Sequence, residues 1–361
     1  MERLPMETLL PSGWTMAASA FNWTPEIIAS ERTSAEIVTG IAKAGIATVV
    51  ELEPGLLWRT FPAPQDQEVG AFRSAMEAAG GSVSIVGCSL DDYLTTTARR
   101  TTAQRLEFLV PQLKAAQRVG ATGVRLPIGQ AGPELLKLVQ PLLHDLDLVL
   151  FEEIQGQQHP RNPQVLRALD HISSLDDDRI RVLVDISMLM PALPVTYLEE
   201  LAKAGVAADL LARLETDWKD PATHDAVVTA LRSDVVPPAI HTLFMNLVIR
   251  FGRSDASELK GILPLVGAFH LKFWDLQDTD GRVSRPLQQL GRLLGEEGFA
   301  GTLTSEWGGH EWLQDDPTVM TRRHLELAKD ALGTGAAAAT ANAALTANRD
   351  LMTSLNTLAE S

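Results

Sequence analysis

The chain has 361 residues, 45% of them hydrophobic and 21% charged, a balance that suits a globular protein with a large core and exceeds the usual length of one small domain. Its formal net charge of -15 opposes nucleic-acid binding, because the short basic runs, ARR at 98–100 and TRR at 321–323, fall in stretches expected to be helical with acids nearby. No apolar run approaches the roughly 20 residues that span a bilayer, MERLPMETLLPSGW lacks the apolar region of a signal peptide, and the single cysteine, Cys88, excludes an internal disulfide framework, so a cytoplasmic protein with no membrane partner is expected.

Apolar runs of strand length alternate with amphipathic helical segments, the pattern of βα units around a parallel sheet. Strands are expected after Gly13 (WTMAASAF), Gly45 (IATVVELE), Gly81 (SVSIVGCSL), Gly120 (ATGVRLPI), Leu146 (DLVLFEEIQ), Arg179 (IRVLVDIS), Gly267 (AFHLKFWDL) and Gly301 (TLTSEWGG). Cys88 sits in the third of these as a small core residue. Helices such as SAEIVTGIAKAG, DQEVGAFRSAMEAAG, TAQRLEFLVPQLKAAQRVG and PELLKLVQPLLHDL lie between them, and several end on a glycine suited to a helix C-cap.

Two stretches break this rhythm. Residues 191–266 are far longer than one crossover needs, and VTYLEELAKAG, DLLARLE and AIHTLFMNLVIRF predict a helical insertion beside the strand ends. Past Gly333 the chain turns Ala- and Thr-rich; alanine favours helix, but few large apolar residues are available to dock it, so a peripheral helix or partly ordered tail is expected over 333–361. The remainder, 1–332 with the insertion at 191–266, is expected to form a (β/α)8 TIM barrel. An open doubly wound sheet would use the same pattern, but no GxGxxG follows the first strand, and polar residues end nearly every strand: Asn22, Glu51 and Glu53, Asp91 and Asp92, Arg125, and then four more.

Those four, Glu153, Asp185, His270 and Glu306, follow the apolar runs of the last four strands, and in a closed barrel they meet at one mouth. Two like charges about 4 Å apart repel by roughly 4 kcal/mol at an effective dielectric near 20, so three carboxylates gathered there need a cation or shared protons. A mostly oxygen site with one imidazole suits Mn²⁺ first, then Mg²⁺ or Co²⁺, better than a structural zinc. On the fifth strand, alternation puts Glu153 on the face of Phe151 and Gln155, and Glu152 on that of Leu150 and Ile154; hydrophobicity does not choose between them.

This quartet, with HxK on strand 7 (His270, Lys272) and Glu306 on strand 8, resembles the xylose isomerase-like barrel superfamily of sugar isomerases and epimerases, over roughly residues 12–330. Within it, HLKFWDL followed by TSEWGGHEWLQD is similar to the catalytic subunits of bacterial C-glycoside deglycosidases. The resemblance implies metal ligation by Glu153, Asp185, His270 and Glu306, a small non-catalytic partner (beta) subunit, and a 3-keto C-glycoside substrate made by a separate oxidoreductase. EIQG fits the place where those relatives tend to have Glu-x-His, which favours Glu153 as the ligand and puts Gln155 where a proton-transfer histidine would stand.

Loss of the C2 proton of such a substrate, followed by expulsion of the aromatic aglycone from C1, makes a carbon–carbon lyase; return of the proton on the other face makes a ketose or sugar epimerase or isomerase acting through an enediolate. The first half is common to both, and charge stabilisation dominates it. Lys272, two residues from His270, is placed to neutralise an oxyanion or orient Glu306, and His310 in its glycine-flanked loop is the leading acid/base candidate beyond the carboxylates. Arg125 is a candidate for binding sugar hydroxyls. Tryptophans cluster at strand ends, so Trp23, Trp274 and Trp307 are candidates for stacking on a sugar or aglycone. The apolar FMNLVIRF of the insertion is the expected partner surface.

Overall fold

The computed structural model describes residues 10–233 and 235–359, the stretch 346–359 as helical backbone only. Residues 1–9, which carry most of the segment read for a signal peptide, and 360–361 lie outside the described residues. No described helix is long and apolar enough to cross a membrane.

The eight apolar runs form eight parallel strands: β1 Trp14–Ser19, β2 Val49–Leu52, β3 Ser82–Gly87, β4 Gly123–Pro127, β5 Val149–Ile154, β6 Ile180–Asp185, β7 Val266–Phe273 and β8 Gly301–Trp307. Each pairs with the next and β8 closes on β1, so the sheet is a closed barrel. Alternation along each strand sends one set of side chains to the lumen and the other to the helical layer. Ile85, Phe151, Leu183 and Ala268 plug the lumen below the strand ends. The opposite faces, including Val124, Leu150 and Val182, pack with the surrounding helices in the main core. Helix starts are well specified: Thr33 and Thr101 each close a capping box with a residue three further on.

ARR at 98–100 is not helical. It lies in the loop before the helix Thr102–Val119, where Tyr93 bridges Arg99, Arg100 pairs with Asp91 (3.0 Å) and Arg105 reaches Asp92 (2.9 Å). The helix cannot extend back over these residues because Thr101 caps it.

Between β6 and β7 the insertion folds around its own apolar cluster, with Tyr197, Leu214, Trp218, Val227 and Phe251 buried. Its helices are Val195–Lys203, Ala208–Thr216 and Pro221–Arg232. AIHTLFMNLVIRF, expected as one helix, is instead a 3-10 turn at Pro238–Ile240 and two single turns, His241–Phe244 and Asn246–Ile249. Its backbone bonds change span from Met245→His241 to Val248→Met245 to Phe251→Asn246, which turns the chain while Phe244, Leu247 and Phe251 all face the cluster. Most of the apolar run reserved for a partner is therefore spent inward, and Ile249 is left exposed at the barrel mouth.

The helix Pro317–Ala359 runs straight through Gly333 into the Ala-rich stretch. It docks through small residues rather than large ones. A Cβ on Gly291 would stand 2.2 Å from the Leu332 carbonyl oxygen, and one on Gly335 would stand 2.1 Å from that of Gln288, so glycine on both sides lets this helix and Ser284–Glu296 touch backbone to backbone.

Candidate metal centre and cleft

Glu153 shares the lumen face of β5 with Phe151, and its neighbour Glu152 turns to the helical layer, where its Oε2 accepts the Gly129 N–H at 3.0 Å. Asp185 and His270 stand side by side in the β6–β7 register, as do Lys272 and Glu306 across β7–β8. Glu153, Asp185 and His270 are buried, and each offers a ligand atom within 4.8 Å of the others. Glu306 borders this trio, with Oε2 3.4 Å from His270 Nδ1 and 3.0 Å from Lys272 Nζ.

His270 is held from behind. Its Nε2 lies 2.9 and 3.0 Å from the two oxygens of Glu51, while Nδ1 faces Glu153 Oε1 at 2.9 Å without an aligned hydrogen bond. With Nε2–H donated to Glu51, a bound cation that displaces the Nδ1 proton would meet a lone pair aimed at the trio, the tautomer a metal-binding histidine needs. Arg125 spreads its three nitrogens over three carboxylates, Glu51 (2.6 Å), Glu153 (3.1 Å) and Glu53. The cluster thus gathers Glu51, Glu53, Glu153, Asp185 and Glu306 against Arg125 and Lys272, an acidic excess that a divalent ion would neutralise.

The titrations follow from this crowding. Burial pushes Asp185 up to about 6, with Glu306 and Glu153 adding to it and Lys272 and His270 opposing. For His270 burial acts downward, but the carboxylates of Glu51, Glu306 and Glu153 win and hold its pKa well above the ordinary range. Burial would also raise Glu153 and Glu306; Arg125 and His270 hold the first below the usual carboxylate range, and Lys272, His270 and Arg125 hold the second far below it. Buried polar donors, an unsatisfied imidazole nitrogen and surplus carboxylate charge fit a divalent cation.

Above the trio opens a cavity of about 660 Å³. Glu53, Arg125, Glu153, Asp185, Lys272 and Glu306 make its floor, and the amides of Gln155, Gln157, Gln158 and Asn162 line its β5 side. Phe21, Trp274 and, from the insertion, Val248 and Ile249 give it an apolar side; Arg250, tied to Glu311, completes the rim. The Lys272 ammonium lies 4.9 Å from the Phe21 ring and 5.3 Å from the Trp274 ring, so its charge is held over the cleft.

Of the residues singled out from sequence, Glu153, Asp185, His270, Glu306, Lys272, Gln155, Arg125 and Trp274 come together here. Trp23 and Trp307 do not. Both are buried, with their indole N–H groups bonded to Thr318 Oγ1 (3.3 Å) and to the Trp274 carbonyl (2.9 Å), which leaves no ring face for a ligand. His310 packs on Phe21 (4.8 Å between rings) and lines a neighbouring pocket instead; burial, with Lys272 and Arg250 nearby, pushes it down to about 4. Arg125 is fully engaged by carboxylates and has little left for a sugar. Glu51 and Glu53 are strand-end acids whose part in the site the sequence does not assign, although ExE after VV, with both glutamates on one face, is the available signal. Arg250 carried no signal, since it comes from the irregular end of the insertion.

No protein-family model matches the chain. It is 26% identical over 334 residues to a C-glycoside deglycosidase alpha subunit of Arthrobacter globiformis, covering 90% of this chain and 94% of that one. It is 24% identical over 323 residues to a 3'-dehydrocarminate deglycosidase alpha subunit of a Microbacterium species, covering 84% and 91%. The chain is a distant homologue of C-glycoside deglycosidase alpha subunits. Its xylose isomerase-like barrel also matches solved structures of D-psicose 3-epimerase (TM-score 0.51, 12% identity, 88% of this chain and 99% of that one) and of 3-keto-D-glucoside 4-epimerase from E. coli (TM-score 0.51, 13% identity, with the same shares). At those identities the likeness speaks for the fold.

Proposed function

We propose that the protein is a divalent-metal-dependent carbon–carbon lyase that removes the aromatic aglycone from 3-keto C-glycosides. The observation that carries this reading is the two-sided cleft over the Glu153–Asp185–His270 cluster, charged and amide-rich where a sugar would lie and apolar where an aromatic group would lie, in a distant homologue of deglycosidase alpha subunits. Glu153, Asp185 and His270 hold the metal, with Glu306 as the fourth ligand; Mn²⁺ is the first choice, with Mg²⁺ and Co²⁺ next. When bound, it supplies Lewis-acid stabilisation of the negative charge that develops on the sugar ketone.

The protein's own groups do the rest. Lys272, fixed by Glu306 at 3.0 Å, presents a positive charge to the same oxyanion. Gln155 and its neighbouring amides orient the sugar hydroxyls, and Phe21, Val248 and Ile249 receive the aglycone, with Trp274 buried behind them against Trp312. Arg125 serves as a brace that holds Glu51, Glu53 and Glu153 together against their mutual repulsion rather than as a substrate ligand. That the relatives are alpha subunits supports a small beta-subunit partner for this chain as well.

Incubating the purified protein with Mn²⁺ and a 3-keto C-glycoside tests the reading. Release of free aglycone, seen by chromatography and abolished by a chelator, is expected. Epimerised sugar with the aglycone still attached would assign the protein to the epimerases.

A further inference from the structure

Removal of a proton beside a sugar ketone needs a side chain that both accepts and releases a proton, and Gln155 does neither. His310 does not line the cleft. Of the acids that do, Glu153 and Asp185 belong to the ligand cluster, and Glu306, the fourth ligand in the reading above, borders them beside His270. Glu53 remains. It follows β2, its side chain is 24% exposed into the cleft, and one of its oxygens is held by Arg125. The end of β3 is shaped around it. A Cβ on Gly87 would stand 2.8 Å from Glu53 Oε2 and 3.2 Å from Oε1, so any side chain there would push the carboxylate from its present position.

We infer that Glu53 takes the C2 proton from the keto-sugar and delivers it to the departing aglycone. This rests on the sugar-ketone reading above. In the first step the C2–H bond breaks, its proton passes to the Glu53 carboxylate, and its electron pair enters the C2–C3 enolate. In the second the pair forms a C1=C2 bond, the C1–aryl bond breaks, and the aryl carbon takes the proton from Glu53. The carboxylate is regenerated with no outside oxidant, reductant or acid.

The surroundings support a shuttle that works near neutrality. Burial pushes Glu53 up to about 7; Arg125 from β4 opposes this, while Glu51 on its own strand, Glu306 on β8 and Glu153 on β5 add to it, and the Cys88 thiol beyond β3 is itself pushed up to about 12 by burial. A group with that balance is mostly available as a base above neutral pH and still acidic enough to give the proton back.

The test uses the full chain loaded with Mn²⁺. One assay follows aglycone release and another follows exchange of the C2 proton of a 3-keto sugar in D2O by NMR. Glu53→Gln is expected to lower both by about 10²- to 10⁴-fold while KM and Mn²⁺ binding stay near wild type. Gly87→Ala keeps the charge but displaces the carboxylate, and it should lower the exchange rate in the same direction. Wild-type exchange in Glu53→Gln, with circular dichroism and Mn²⁺ binding showing a folded protein, would overturn the inference and leave the functional reading standing. If the wild type neither exchanges nor releases aglycone, the functional reading falls and the inference with it.

Discussion

The two sides of β5 carry one glutamate each, adjacent in sequence and both buried, in opposite electrostatic settings. On the lumen side Glu153 meets Arg125 and His270, and these cations outweigh burial and keep it ionised. On the helical side Glu152 meets backbone N–H groups such as that of Gly129, too little to offset burial, which pushes it up to about 7. Burial is common to both; what separates the ionised glutamate from the loop brace is the charge on the facing strands.

The largest break in this comparison is expected from Glu153→Gln. It should take the protein from about one bound Mn²⁺ per chain to near none by metal analysis, because the ligand is lost outright. Glu152→Gln should keep full metal content. Equal losses in the two variants would mean that the faces have been assigned the wrong way round.

Next in size is Glu51→Gln, which leaves every proposed ligand in place and disturbs only what stands behind His270. A 10- to 100-fold weaker Mn²⁺ affinity by calorimetry is expected, about 1.4–2.8 kcal/mol. An unchanged affinity would reduce Glu51 to an ion-pair partner of Arg125. The lumen should also titrate: Asp185, raised to about 6, and His270, raised by its carboxylates, bind protons that compete with the metal. The His270 proton already competes at neutral pH and costs about tenfold in affinity per pH unit, and as pH drops below about 6 Asp185 adds a second proton and steepens the fall. A flat profile from pH 7 to 5 would count against this ligand set.

The smallest readout belongs to the helical side, where only the melting temperature moves. Because the folded pKa of Glu152 lies above its ordinary value, its contribution to stability is present at low pH and is lost as pH rises through about 7. The full difference is of order 3 kcal/mol. Glu152→Gln cannot ionise, so it should melt a few degrees above wild type at pH 8.5 and close to it at pH 5. A gap that widens toward low pH would contradict the assignment.

Much of this was legible along the chain. The strands announced themselves by apolar runs ending in polar residues, because a strand covered on both faces must be apolar for most of its length. Glu153, Asp185, His270 and Glu306 stood at those ends and did reach one mouth. The tryptophans misled for a related reason. A strand-end position does not say whether a ring faces the cleft or the layer behind it, and Trp23 and Trp307 face the latter. His310 sat close to Glu306 in sequence, yet the 3-10 turn Gly309–Glu311 carries it behind Phe21.

The sequence by itself determined the barrel, the strand ends and the identity of the groups gathered there, since periodicity and strand order are local properties. Only the tertiary structure decided how those groups are paired. Glu51 reaches His270 because closure of the sheet sets β2 across the lumen from β7, and Glu53 gains its place in the cleft from Arg125 on β4 and the bare backbone of Gly87 on β3. Contacts across a lumen depend on closure and register, which no single segment of the chain contains.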